Sequence, residues 1–371
     1  MGDRKPAVVF VGHDASRTGA PVLGLTFLRW LVATHRPDLR IVLLGPGPLE
    51  AQHRALAPTS VASPPGALRL AVAKAGVGRW GIALPAVPAG AAPHLVIANT
   101  LAALPAAARL QARRLVCWVH ELDGVADRVL EPSQRRELLP EVARFVAAGD
   151  RVAAMLTDRW HVAPDRVTTV DPFVGPPGAG RDLRAIGGRP PPTILGSGSL
   201  VARKGADAFV STLAALATSH DLPPSAWVGG DPSSLFGQEV RADIAASGIG
   251  DRVDVVAEVP DLGPWWPDPG VLVHTAREDP FPLVAIEAAR RGLPVITWDT
   301  GGAADLVRRS GMEHLVAPAG DVLGLVDRLI SLLDRPTLAA EAGAALRAEA
   351  GGLTAERQAP LVWSACIGDA T

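Results

Sequence analysis

The sequence predicts an α/β protein built from two mostly parallel sheets, and three observations carry that prediction. Short β-branched runs alternate with longer helical segments along nearly the whole chain. The runs are apolar without strict period-two alternation, as expected of strands covered by helices on both faces. One Pro- and Gly-rich stretch, residues 172–192, interrupts the alternation, and the same pattern then starts afresh. A chain of 371 residues suits two domains of roughly 100–200 residues each.

Taken in order, the first half holds strand candidates at 7–11, 40–44, 95–98, 114–119 and 145–148. Helical periodicity falls between them at 22–34, 101–110, 132–138 and 150–160. The second half holds strands at 193–196, 226–228, 253–256, 271–274 and 294–297. Its helices are predicted at 206–217, 239–246, 283–291, 303–308, 322–333 and 337–349. The domain limits that follow are 1–175 and 193–352, with a linker at 176–192. Two doubly wound sheets joined in this way are expected to face each other across a cleft, with ligands outside the carboxyl ends of the strands.

Composition narrows the function classes. Hydrophobic residues make up 48% of the chain and charged residues 20%, a globular balance. The formal net charge is −2 and no long run of one sign occurs, which argues against a nucleic-acid binder held by a basic face. The two cysteines, Cys117 and Cys366, stand in no metal-type spacing and read as buried, reduced thiols. With no signal-peptide pattern at the N-terminus, the expected location is the cytoplasm. Residues 80–108 lack Asp, Glu, Lys and Arg, but Pro85, Pro88, Pro93 and Pro105 break any spanning helix there. The expectation is a loop, a strand and a short helix, with no transmembrane segment.

Four strand-end motifs carry chemistry. GSGSLVARKG, 196–205, follows a strand and precedes a helix. Gly196 and Gly198 permit a tight turn and close backbone approach, and Arg203 and Lys204 place two cations beside a helix N-terminus, where an anion is favoured. Val201 stands where the dinucleotide fingerprint needs a third small residue, which argues against an oxidoreductase. REDPFPLVAIEA, 277–288, puts Asp279 in a loop and Glu287 about one turn into the helix that follows, so two carboxylates can address two hydroxyl-bearing parts of one ligand. Pro282 suits the first helical position, and the N–H groups of Leu283 and Val284 are available to phosphate oxygens. GHDASRTGAP, 12–21, offers the bare backbone of Gly19, and CWVHELDG, 117–124, sets His120 and Glu121 at a strand end.

Together these segments resemble the retaining glycosyltransferases of family 4, which have the GT-B fold. The resemblance runs through TGAP, WVHEL, ARKG, VGGD at 228–231, REDPFPLVAIEA and WDTGG at 298–302. It implies that Arg203 and Lys204 hold a donor diphosphate and that Glu287 bonds the nucleotide ribose. It implies that Gly19 approaches the phosphates and that His120 touches the donor sugar. Asp279 takes the first place of the family's two-acid motif, more often Glu. Gly198, Phe281, Leu283 and Val284 complete the expected donor site. The family also carries a C-terminal helix that returns to the first domain; residues 353–371 are its candidate, interrupted by Pro360.

The implied reaction moves a hexose-type sugar from a nucleoside-diphosphate sugar, such as a UDP- or GDP-hexose, to an acceptor hydroxyl. The resemblance is to retaining enzymes and no obvious nucleophile presents itself, so it implies that the acceptor attacks the face from which the diphosphate leaves. No Asp-x-Asp pair occurs, and the cationic pair takes the place of a divalent ion; no cofactor and no metal are expected. The alternatives are a nucleotide-sugar epimerase of the same fold and a non-catalytic nucleotide-sugar-binding protein. Acceptor contacts are expected from residues 58–93, where Arg69, Lys74, Arg79 and Trp80 suggest a sugar or small-molecule surface. The acceptors considered are a small natural product, a polyol, another sugar or a lipid-linked intermediate. The main chain of Glu258 and Val259 is the candidate contact for the base.

Overall fold

A computed structural model describes residues 7–62, 92–176 and 191–368. The expected acceptor residues Arg69, Lys74, Arg79 and Trp80, and most of the linker, lie outside the described residues. The chain divides into two compact units, Met1–Phe173 with Ala355–Thr371, and Val174–Thr354.

In the first unit the strands are β1 Ala7–Gly12, β2 Asp38–Leu43, β3 Thr59–Val61, β4 Leu95–Asn99, β5 Arg114–Val119, β6 Arg144–Ala147 and β7 Val167–Thr169. They form one parallel sheet in the order β3-β2-β1-β4-β5-β6-β7. Every residue of β4 is buried, which is why it reads as an unbroken apolar run rather than an alternating one. The helices are α1 Gly19–Thr34, α2 Glu50–Leu56, α3 Leu104–Ala108, α4 Asp123–Val129, α5 Pro132–Leu138 and α6 Asp150–Ala154. α1 begins three residues before the predicted Val22, because Pro21 is tolerated in a first turn whose N–H groups have no partner within the helix. The predicted helix 150–160 is α only to Ala154 and continues as a π turn, Met155–Arg159. The short β3, β7, α2 and α4 escaped the sequence reading, too brief to carry a period.

In the second unit the strands are β8 Ile194–Ser197, β9 Ser225–Val228, β10 Val253–Val256, β11 Val271–His274, β12 Val295–Trp298 and β13 Val316–Ala317. They are again parallel, in the order β10-β9-β8-β11-β12-β13. The helices are α7 Ala206–Ala217, α8 Leu235–Ala246, α9 Leu283–Arg290, α10 Gly302–Arg309, α11 Val322–Asp334 and α12 Pro336–Ala350. α8 starts earlier than predicted because Ser234 caps it, accepting the N–H of Gly237 at 3.1 Å. The core of this unit gathers Phe209, Trp227, Leu272, Ile286, Ile296 and Leu329, each buried between sheet and helices.

The last helix, α13 Ala355–Ile367, belongs to the first unit and packs on α1. Pro360 lies inside it without interrupting it. The ring removes one N–H donor, and the helix is held from its other end: the Arg114 guanidinium donates to the carbonyl of Cys366 at 2.7 Å, and Trp363 lies 5.5 Å from the ring of His35. Among the described residues no helix is long and apolar enough to cross a membrane. Of the stretch 80–108, the described part is β4, a single 3₁₀ turn and α3.

Both sheets therefore have the doubly wound order, in which the direction of winding reverses once: between β1 and β4 in the first, between β8 and β11 in the second. Crevices outside the strand ends form at that reversal. TGAP follows β1, ARKG follows β8, and REDPFPLVAIEA follows β11, so three of the four motifs flank a reversal.

Candidate active site

In the second unit, ARKG and REDPFPLVAIEA come together although 75 residues separate their charged partners. Lys204 Nζ forms an ion pair with the Asp279 carboxylate. Arg203 Nη1 donates to the carbonyl of Glu278 at 2.8 Å, and the Arg277 N–H donates back to the carbonyl of Arg203 at 2.8 Å. Arg277 is itself held by two hydrogen bonds to Asp207, at 2.8 and 2.6 Å. Lys204 and Asp279 were expected to meet different parts of a donor; in this structure they meet each other.

The backbone makes this approach feasible at Gly205. Its φ is +74°, and a Cβ there would lie 1.9 Å from the Thr275 carbonyl oxygen. Only glycine combines the left-handed conformation with that contact. The Thr275 hydroxyl donates to the Gly205 carbonyl at 2.7 Å and closes the junction. The WDTGG segment supports the acid loop in the same way. Gly301 forms a bridge with Asp279, a Cβ on it would lie 1.8 Å from the Asp279 carbonyl oxygen, and the Gly302 N–H donates to the Asp279 and Pro280 carbonyls at 3.1 and 2.9 Å.

Asp279 is 7% exposed. Burial alone would raise its pKa, but the charge of Lys204 and the hydrogen bond of His274 hold the carboxyl well below the usual carboxylate range. His274, buried at the end of β11, places Nε2 3.5 Å from Asp279 Oδ2, and its Nδ1 lies 3.4 Å from the Thr297 hydroxyl. Glu287 is partly exposed on α9. Burial of its carboxyl, with the negative charge of Asp261 adding to it, pushes its pKa up to about 7 against the opposing pull of Arg291 and Arg290.

Several expectations need correction. At Gly196 a Cβ would lie 2.6 Å from the Trp227 ring and 2.9 Å from the Phe209 ring, so its small size is a packing requirement. Gly198 does turn the chain, at φ +154°, and its carbonyl accepts the Trp227 indole N–H at 3.0 Å. Pro282 is not the first helical residue; it is extended and precedes Leu283, which opens α9. The first-turn N–H groups of Leu283 and Val284 have no acceptor within the helix. The Phe281 ring is built into the core, against Gly302 and the Arg309 guanidinium at 5.5 Å, so only its backbone is left for a ligand. The Glu258 N–H donates to the Gly230 carbonyl at 2.9 Å, so that N–H is already committed within the protein.

In the first unit His120 is half-buried at the end of β5. Its Nε2 lies 2.8 Å from Asn99 Oδ1, and its ring packs 4.8 Å from the Trp118 ring. Burial, reinforced by His13, pushes its pKa down to about 3, so the imidazole is neutral at physiological pH. Glu121 is buried, with one carboxylate oxygen accepting the N–H of Leu101 at 3.0 Å and the other the N–H of His120 at 2.9 Å. Burial drives the Glu121 pKa up to about 7 in spite of these donors. Gly19 is exposed, with no atom within 4 Å of where a Cβ would sit; the fold itself does not demand glycine there.

Asn99, Thr275 and His274 were missed by the sequence reading. Asn99 and His274 are the polar last residues of otherwise apolar strand runs, and the strand-end rule that selected His120 would have selected them too. Thr275 acts through a hydrogen bond that no spacing announces.

With this geometry in hand, comparison with known proteins is direct. Residues 191–335 match the family model described as glycosyl transferases group 1. The lipopolysaccharide core biosynthesis mannosyltransferase LpcC of Rhizobium leguminosarum bv. viciae is 30% identical over 240 residues, which cover 62% of this chain and 67% of that protein. D-inositol 3-phosphate glycosyltransferase 1 of Catenulispora acidiphila is 29% identical over 269 residues, covering 66% and 64%. The structure of Anabaena HepE in complex with UDP-glucose superposes with a TM-score of 0.75 at 17% identity, covering 96% of this chain and 98% of that one. That of WaaG, a glycosyltransferase involved in lipopolysaccharide biosynthesis, gives 0.70 at 15% identity, covering 97% and 100%. The chain belongs to the group 1 glycosyltransferases, has the GT-B fold class of two Rossmann-like parallel-sheet units, and is a transferase enzyme.

Proposed function

We propose that this enzyme is a retaining, metal-independent transferase that moves a hexose-type sugar from a nucleoside-diphosphate sugar to the hydroxyl of a sugar or polyol. The observation that carries the reading is the Lys204–Asp279 pair, flanked by Arg203 and the α9 N-terminus at the winding reversal of the second sheet. Two cationic side chains and unpaired helix N–H groups make a preorganised field for a diphosphate. In the proposed resting state Asp279 holds Lys204; an arriving diphosphate shares Lys204, and the freed carboxylate oxygens accept hydrogen bonds from the donor sugar. Glu287 bonds the ribose hydroxyls, and His120 meets the sugar. UDP-glucose, bound by HepE, and GDP-mannose, suggested by the mannosyltransferase relatives, are the first donors to try. The inositol phosphate glycosyltransferase relatives motivate the polyol acceptor.

In the reaction the bond from the anomeric carbon to the diphosphate oxygen breaks. The acceptor oxygen bonds to that carbon on the same face, and its proton passes to a phosphate oxygen of the departing diphosphate. Arg203, Lys204 and the α9 N–H groups stabilise the charge that develops there. A thermal-shift panel of nucleoside-diphosphate sugars, followed by NMR of the product anomer, tests this. Stabilisation by one donor and a product of unchanged anomeric configuration are expected. An inverted product overturns the retaining mechanism, and a panel without any stabilising donor overturns the donor assignment.

A further inference from the structure

Asn99 is fully buried at the end of β4, where the winding of the first sheet reverses. Both ends of its amide are committed. Nδ2 donates to the carbonyl of Ala20, in the first turn of α1, at 3.0 Å. A carbonyl only accepts, so the amide can face one way alone: Nδ2 toward Ala20 and Oδ1 toward His120. Oδ1, 2.8 Å from His120 Nε2, likewise only accepts. The imidazole proton therefore sits on Nε2, and Nδ1 keeps its lone pair. Among the described residues no side chain or backbone group bonds Nδ1.

The surroundings are built for this arrangement. At Gly24 a Cβ would lie 2.8 Å from Asn99 Nδ2 and 2.8 Å from the Phe10 ring, so the helix carries no side chain where the amide enters. Glu121 fixes the backbone of His120, and Trp118 covers one side of its ring. Ring position, backbone and proton location are thus each set by a different neighbour.

We propose that Asn99 is a positioning residue: it holds His120 as the Nε2–H tautomer and ties it to the first turn of α1, so that Nδ1 is presented as an acceptor for a donor-sugar hydroxyl. The hydroxyl rests on the donor reading above; the tautomer does not. The amide also joins the two first-unit motifs singled out from sequence, since Ala20 directly follows Gly19.

Long-range proton–nitrogen NMR of the full chain without ligand tests the tautomer, with the His120 signals assigned by their loss in His120→Gln. A pyrrole-type signal at Nε2 and a pyridine-type signal at Nδ1 are expected in the wild type, and an averaged pair in Asn99→Ser. A wild-type His120 with its proton on Nδ1 overturns the proposal, whether or not any variant folds. In turnover, Asn99→Ser is expected to raise KM about tenfold for whichever of UDP-glucose or GDP-mannose the enzyme uses, the scale of one lost hydrogen bond. Its Kd for UDP or GDP, which lack the sugar, should stay unchanged. Equal weakening of the bare nucleotide overturns the action through His120. Turnover of neither sugar counts against the donor reading, and the spectrum then decides the tautomer alone.

Discussion

Replacing Lys204 with methionine keeps the bulk of the side chain and removes its charge. Asp279 would then be a buried carboxylate whose remaining side-chain partner in this structure is His274 at 3.5 Å. Removing one member of a buried ion pair costs about 3–5 kcal/mol. The Lys204 side chain is 21% exposed, so water screens part of the interaction, and a loss of about 2–3 kcal/mol is the better figure. For a unit the size of Val174–Thr354, each kcal/mol shifts Tm by roughly 2–4 °C, so Lys204→Met should lower Tm by about 4–12 °C. Lys204→Met/Asp279→Asn removes both charges and should recover most of that loss, because no buried charge is left unpaired. Turnover should behave differently, falling at least ~10²-fold in Lys204→Met, as for loss of one transition-state donor, and staying low in the double variant. Calorimetry and steady-state assays on the four proteins of the cycle measure both. A Lys204→Met protein as stable as wild type, or a double variant no more stable than the single one, would refute the pairing. Recovery of turnover in the double variant would refute the role at the diphosphate.

Further outcomes follow from the same geometry. Arg203→Ala should lower turnover at least ~10²-fold with little change in fold, and a rate near wild type would remove Arg203 from the site. Gly205→Ala should cost about 1–2 kcal/mol from the left-handed backbone alone and more from the overlap with Thr275, read as a lower urea midpoint at constant slope; an unchanged midpoint contradicts the contact. The Glu287 pKa is raised in the folded state, so the native protein holds the proton more tightly than the unfolded chain does. Stability should therefore fall as pH rises from about 4.5 to about 7 and level off above. Glu287→Gln should flatten that part of the Tm profile, whereas a variant whose profile runs parallel to wild type would show that Glu287 does not titrate this way. Chelator-treated enzyme should keep full activity; activity lost to the chelator and restored by magnesium would refute metal independence.

Much of the site was legible because the relevant signals are local. Arg203 and Lys204 are adjacent, Asp279 and Glu287 are joined by a short loop and one helical turn, and both segments follow apolar strand runs whose type is plain from composition. The direction of the Phe281 ring was not legible, because a residue beside a ligand motif looks the same in sequence whether it points at the ligand or into the core; here the ring packs into the core against Gly302. The role of Gly196 was not legible for a related reason, since glycine marks closeness without saying to what, and here the neighbours are two aromatic rings.

By itself the sequence determined the class: two series of buried parallel strands, the loops that end them, and the charged residues those loops carry. These depend on periodicity and on residues within about one helical turn of one another. Tertiary structure alone decided that Lys204 meets Asp279, that His274 stands behind that acid, and that the Asn99 amide meets the His120 ring. The first and last of those contacts join separate strand ends, β8 with β11 and β4 with β5, whereas His274 and Asp279 share the end of β11. Which ends become neighbours is decided by strand order, and strand order follows from how whole helices and sheets bury their apolar faces.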